Sequence, residues 1–282
     1  MEKYLKKKII IGSANFGDKY GINNKKISFS NLEKIFRYLK KNQLNTIDTA
    51  NDYKNSEKII GSIIKKNKSN WKIISKVKKD ENNLEEFFCE SKKKLGLYPN
   101  IILAHNYKDF LNNDFRNQLI SLKNKYGLKI GVSVYNYNEI IKIIKFSSID
   151  VIQIPISVID QRLLKKNILK KLQKRRIEIH ARSIFFKGIV FANLNKFKEN
   201  KPFFDSLKKL KEFKKETLSI NHKCLSWVLG LKEIDKVVIG VENFVQLKDN
   251  INKIDKKIIG EMRKLKIDTS KIPNKYLDMR NW

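Results

Sequence analysis

A chain of 282 residues with 41% hydrophobic and 10% aromatic content is long enough to bury one large core, and its composition argues against disorder. The formal net charge of +32 suggests a polyanionic partner such as nucleic acid or an anionic membrane surface. Its distribution argues against that: only 8 of the 61 basic residues are Arg, and Lys is spread from end to end among abundant Asn and Ile. Compositional bias accounts for this pattern, although a positive field could still steer a phosphorylated cofactor or an anionic substrate.

The amino-terminal MEKYLKKKIIIG has an apolar run of only three residues, too short for the core of a signal peptide, and no stretch approaches a membrane span. A cytoplasmic protein is expected, with no membrane or nucleic-acid partner, as a monomer or small homo-oligomer. Cys89 and Cys224 fall in helical patterns far apart, without neighbours at metal-ligand spacing, so neither a disulfide framework nor a metal site is predicted.

Short β-rich runs at 8–12, 46–50, 71–77, 100–106, 129–134, 151–156, 178–183 and 236–241 read as strands. Most are continuous apolar runs, the pattern of a parallel sheet buried on both faces. Between them the period becomes helical: Leu32, Ile35, Phe36 and Leu39 share one face, as do the isoleucines of 59–64 and 140–144. Ser30 and Ser56 are the expected N-caps, with Glu57 in the first turn of its helix. Eight βα alternations with no linker predict one domain over 1–282, a closed (β/α)8 barrel of the TIM type. Two segments break the rhythm. One is a basic insertion at 193–215 after strand seven, with Pro202, Phe203 and Phe204. The other is a helical tail after about Ile254 that ends in Leu-Asp-Met-Arg-Asn-Trp. Both are expected to cover the barrel or its mouth.

Catalytic groups of such barrels stand at the carboxyl ends of strands. Those ends carry Asp48 in TIDTA, Lys76 in IISKV and His105 in ILAHN, with Tyr53 in the loop after strand two. Taken singly, Asp48 could cap a turn, Tyr53 could pack, Lys76 could be solvated and His105 could be a satisfied core residue. Together they suit reduction of a carbonyl, where negative charge builds on oxygen and a proton donor is required. An ammonium near Tyr53 should lower its pKa, Asp48 can hold Lys76, and His105 can hydrogen-bond the carbonyl oxygen. His180, two residues before Arg182, is expected in a core or supporting role.

The stretch DTANDYKNSEKIIG resembles the aldo/keto reductase signature D-T-A-x-x-Y-x-x-S-E-x-x-x-G, and ISK and LAHN resemble that family's lysine and histidine strand ends. The resemblance implies Tyr53 as general acid, His105 as substrate-orienting, and Lys76 and Asp48 as groups that tune Tyr53. GSANFG at 12–17 is similar to the family's G-T-A-x-x-G, which implies cofactor contacts at Gly12, Ser13 and Ala14. GVSVYN implies Ser133 for the carboxamide, with Val134 where the family usually has Asn. Gln153, Arg182 and Ser183 match further cofactor positions. IGVENFVQLKDN resembles the phosphate-binding segment: Gln246 and Asn250 fit, whereas Glu242 stands where Lys or Arg often meets a 2′-phosphate. The implied cofactor is NADP(H), with NAD(H) the alternative that Glu242 leaves open. The implied partner is a small carbonyl substrate, and RSIFFKG with the terminal MRNW resembles members of surface-sugar pathways. The contrasting reading is a cofactor-binding regulatory barrel with little turnover.

Overall fold

The Ile- and Val-rich runs form eight parallel strands in the computed structural model, which describes residues 2–21, 24–79 and 83–281. They are β1 (Ile9–Gly12), β2 (Thr46–Asp48), β3 (Lys72–Val77), β4 (Ile101–Ala104), β5 (Lys129–Ser133), β6 (Val151–Pro155), β7 (Glu178–Arg182) and β8 (Lys236–Ile239). Each pairs with the next, and β1 pairs with β8, closing the predicted (β/α)8 barrel. The helices that follow them in turn are α1 (Phe29–Lys41), α2 (Ser56–Lys66), α3 (Leu84–Leu95), α4 (Asn113–Tyr126), α5 (Tyr137–Ile143), α6 (Ile168–Lys174), α7 (Ile220–Leu229) and α8 (Phe244–Asn252).

Most strands stop one or two residues short of the sequence expectation. The chain keeps its hydrogen bonds there but turns out of the sheet to build loops: the Thr49 and Asn51 amides still donate to Ile74 O and Lys76 O, and the His105 amide to Val77 O. The caps differ as well. Ser28, not Ser30, caps α1 by accepting from the Asn31 amide. Asn55 precedes α2, and Ser56 lies inside that helix with its hydroxyl turned inward to Ser13.

Side-chain alternation sorts each strand. Ile9, Ile11, Ile47, Ile73, Ile102, Ile130, Ile152, Ile179 and Val237 point outward into the large apolar layer shared with the helices. Inside the barrel the apolar plug is small, made of Ile10, Ile74, Leu103, Val151 and Val238. Gly131 belongs to this interior, and a Cβ there would stand 1.9 Å from Val151 O, so the β5–β6 contact requires glycine. Leu194–Phe197, Lys201–Glu212 and the tail pack on one another through a second cluster that includes Phe197, Phe203, Leu207, Met262, Leu265 and Leu277. Insertion and tail thus support each other. Trp282, the last residue of the tail, lies outside the described residues.

Cys224 is buried, which pushes its thiol up to about 12, and Cys89 is half-buried; both are free. His180 is buried near the amino-terminal end of the barrel, where its Nε2 lies 2.9 Å from Glu178 Oε1 while Lys129 Nζ lies 2.7 Å from Oε2. The hydrogen bond to His180, helped by Lys129, outweighs burial and holds Glu178 down to about 2. A depressed carboxylate contributes its stability above the ordinary pKa and loses it as pH falls through the folded value. Glu178→Gln should therefore lower the urea midpoint at pH 7, with the gap from wild type closing between pH 4.5 and about 2. A gap independent of pH would show that the carboxylate charge contributes nothing.

Candidate active site at the carboxyl-terminal mouth

The top interior positions are polar where the plug beneath them is apolar. Asp48 ends β2 in register with Gly12 of β1 and Ile74 of β3, and Lys76 lies two residues beyond Ile74 on the same face. Both are almost fully buried. Lys76 Nζ donates to Asp48 Oδ1 at 2.5 Å and to Thr49 O at 2.9 Å, while Gln153 Nε2 donates to Asp48 Oδ2 at 2.8 Å. The Asp48 carboxylate compensates a charge that burial would otherwise leave unanswered. The Gln153 contact leaves both carboxylate oxygens engaged.

Tyr53 reaches the same cavity from the β2–α2 loop. Its turn is fixed by the Tyr53 amide donating to Ala50 O and the Ser56 amide donating to Tyr53 O. Gly17 packs against this turn so closely that a Cβ there would lie 2.6 Å from the Ser56 nitrogen. The Tyr53 ring stands edge-on to His105 at 6.1 Å between centroids, and Lys76 Nζ lies 5.2 Å from the Tyr53 centroid. Burial, then the Asp48 charge, raises the Tyr53 pKa despite the opposing Arg182. The lowering expected from Lys76 is thus reversed, because Asp48 spends the ammonium's charge and the ring sits out of water.

One cavity is lined by Gly12, Ser13, Ala14, Asp48, Tyr53, Lys76, His105, Ser133, Gln153, Arg182, Ser183, Glu242 and Gln246. Asn250 is the exception among the predicted positions. It is fully buried beside α7, where Asn221 Nδ2 donates to its Oδ1 at 2.6 Å and its own Nδ2 has no partner. Gln246 is already engaged, its Oε1 accepting from the Glu242 amide at 2.7 Å. Val134 turns away into the apolar layer, and its carbonyl accepts from Arg182 Nη2 at 3.0 Å. The Arg182 guanidinium stacks 4.2 Å from the Tyr135 ring, and Arg280 of the tail lies 4.3 Å from that ring.

Sequence reasoning missed Tyr20, Tyr135, Phe185, Lys187 and Phe191, which also line the cavity. They sit in loops or in the kinked 3-10 segment Phe186–Phe191, without periodicity, and only the positive φ of Ser183, Phe186, Lys187 and Gly188 reveals how the post-β7 chain folds back over the mouth. It also missed Asp52, whose Oδ1 lies 3.3 Å from His105 Nδ1 and whose Oδ2 lies 2.5 Å from Lys78 Nζ. The DTANDY run held the signal: an acid placed one residue before Tyr53.

The fold and lining describe a barrel with an ion-paired lysine, a tyrosine and a histidine at one mouth. The model of the Aldo/keto reductase family matches residues 8–266, and the chain belongs to that family of oxidoreductases. An aldo-keto reductase from Bacillus halodurans, solved in its holo form, shares the fold at TM-score 0.74 and 18% identity, covering 92% of this chain and 91% of that one. A Pseudomonas aeruginosa protein assigned to the aldo-keto reductases matches at TM-score 0.66 and 16% identity, with 91% of each chain covered. Comparison with curated proteins gives no match. Among the described residues no cluster of side chains is suited to a metal, and no helix is long and apolar enough to cross a membrane.

Asp48→Asn should bring the Tyr53 ionisation to lower pH, because it removes a negative neighbour that raises it. Ultraviolet titration with Tyr53→Phe subtracted reads this directly. An unmoved or raised ionisation would show that the Asp48 charge does not act on Tyr53.

Proposed function

We propose that the chain reduces an aldehyde or ketone with NADPH, using Asp48, Tyr53, Lys76 and His105 as its catalytic residues. The observation that carries this reading is their convergence on one cavity at the carboxyl-terminal mouth of the barrel. The residues present fit a nicotinamide dinucleotide. Gly12, Ser13 and Ala14 leave the floor low, Ser133 and Gln153 offer polar atoms, and Arg182 and Lys187 supply positive charge for phosphates.

When bound, the cofactor supplies the hydride. Tyr53, kept protonated by its burial, holds the proton that the developing alkoxide takes. Lys76 provides positive charge beneath the ring, and Asp48 and Gln153 keep that ammonium in place. His105 closes the opposite side of the carbonyl oxygen's position and orients it. Tyr20, Tyr135 and Phe191 give the cavity aromatic walls, with polar groups at its base. This combination suits the apolar face and hydroxyl edge of a sugar-like carbonyl compound.

Purified protein should oxidise NADPH with a broad aldehyde such as 4-nitrobenzaldehyde, and Tyr53→Phe should lower kcat/KM at least about a hundredfold. Equal activity of the two proteins would remove Tyr53 from the chemistry. Glu242 lines the cofactor side of the cavity, and its carboxylate opposes a 2′-phosphate. Glu242→Lys should therefore tighten NADPH about tenfold in fluorescence titration, worth about 1.4 kcal/mol, and leave NADH nearly unchanged. An equal change for both cofactors would take Glu242 away from the 2′-phosphate.

A further inference from the structure

The geometry points to Asp52 as a positioning residue that fixes which nitrogen of His105 carries the proton, and so ties carbonyl reduction to a doubly protonated imidazole. The inference rests on the carbonyl-reductase reading of this cavity. His105 Nδ1 is buried without a hydrogen-bond partner of good geometry, and the group it faces is the Asp52 carboxylate, 3.3 Å away. The carboxylate is itself held. Lys78 at the end of β3 takes the other oxygen at 2.5 Å, and the neighbouring Asn51 amide ties the loop to Lys76 O.

The other groups around His105 do not compete for Nδ1. Tyr53 meets the imidazole edge-on, Lys76 is paired with Asp48, and Asp109 in the following turn is engaged by Asn106 and the Lys79 amide. Burial pushes the Asp52 carboxyl up, but His105 and Lys78 outweigh it and hold the group well below the usual carboxylate range. Around neutral pH it is therefore an anion. An anion beside Nδ1 draws the imidazole proton to that nitrogen, because the tautomer follows the hydrogen bond that the other nitrogen makes.

The consequence falls on Nε2, the nitrogen left for the cavity. In the neutral ring it carries a lone pair and accepts from a substrate hydroxyl, which suits the alcohol. Only the doubly protonated ring donates from Nε2 to a carbonyl oxygen. Reduction therefore needs one more proton on His105 than binding of the alcohol does. Without Asp52 the neutral ring is free to hold its proton on Nε2 and donate at any pH.

The test is nitrogen-15 NMR of His105 in the resting protein, with Asp52→Ala and Asp52→Asn beside wild type. With the ring neutral, wild type should show a protonated Nδ1 and a bare Nε2, and Asp52→Ala should show the reverse. In parallel, kcat/KM for carbonyl reduction by wild type should fall as pH rises and the proton that Nε2 donates is lost. In Asp52→Ala this fall should flatten, a change that mere loss of packing would not produce. A wild-type proton on Nε2, or the same tautomer and pH slope in Asp52→Ala, would overturn the role of Asp52. An Asp52-dependent tautomer without any carbonyl turnover would instead overturn the reductase reading and leave the pairing intact.

Discussion

A single buried ammonium organises this mouth of the barrel. Lys76 stands where water is excluded, so its charge must be answered within hydrogen-bond reach, and Asp48 on the neighbouring strand answers it at 2.5 Å. Parallel register makes this possible, because Asp48 aligns with Ile74 and Lys76 projects one interior layer higher. Gln153 then takes the remaining carboxylate oxygen from across the barrel. The Tyr53 ring lies over the ammonium without a charge of its own, and its environment keeps it a proton holder rather than a phenolate.

This placement depends on how little the barrel interior spends on apolar packing. The central plug is a thin layer, with the charged amino-terminal rim below and the reactive groups above. Most of the hydrophobic stabilisation lies outside the strands, against the helices. Interior positions at the upper ends are thus free to carry polar chemistry. The insertion and tail extend the same division. Their aromatic cluster holds them together at one side, while Tyr135 between Arg182 and Arg280 joins the tail to the wall of the site.

The architecture was legible because it is periodic. Runs of Ile and Val, repeated eight times between amphipathic helices, admit few other closures, and strand ends follow once the runs are placed. The loop carrying Asp48 and Tyr53 was legible for another reason, an unusual local signature. What escaped was set by tertiary contacts without sequence period. Tyr20 and Phe191 reach the cavity from irregular loops, and Asn250 turns toward Asn221 instead of the cavity. The Tyr53 pKa escaped too, since residue types give the sign of each charge but not the depth at which it sits.

Part of the positive charge, which the sequence left open between bias and use, has a local account in the helices. α1 ends in Lys40 and Lys41, α2 in Lys65 and Lys66, α3 in Lys92, Lys93 and Lys94, and α4 carries Lys123 and Lys125 in its last turn. Cations there complement the carbonyl ends of the helix dipoles. Because barrel helices run against the strands, those ends lie on the amino-terminal face, opposite the cavity. Carboxylates occupy the other ends: Glu57, Glu85, Glu86, Asp114 and Glu139 stand in first turns. Within these helices, charge is thus sorted along the barrel axis. These helix-end lysines lie far from Lys76, whose one buried charge is kept within the reach of Asp48.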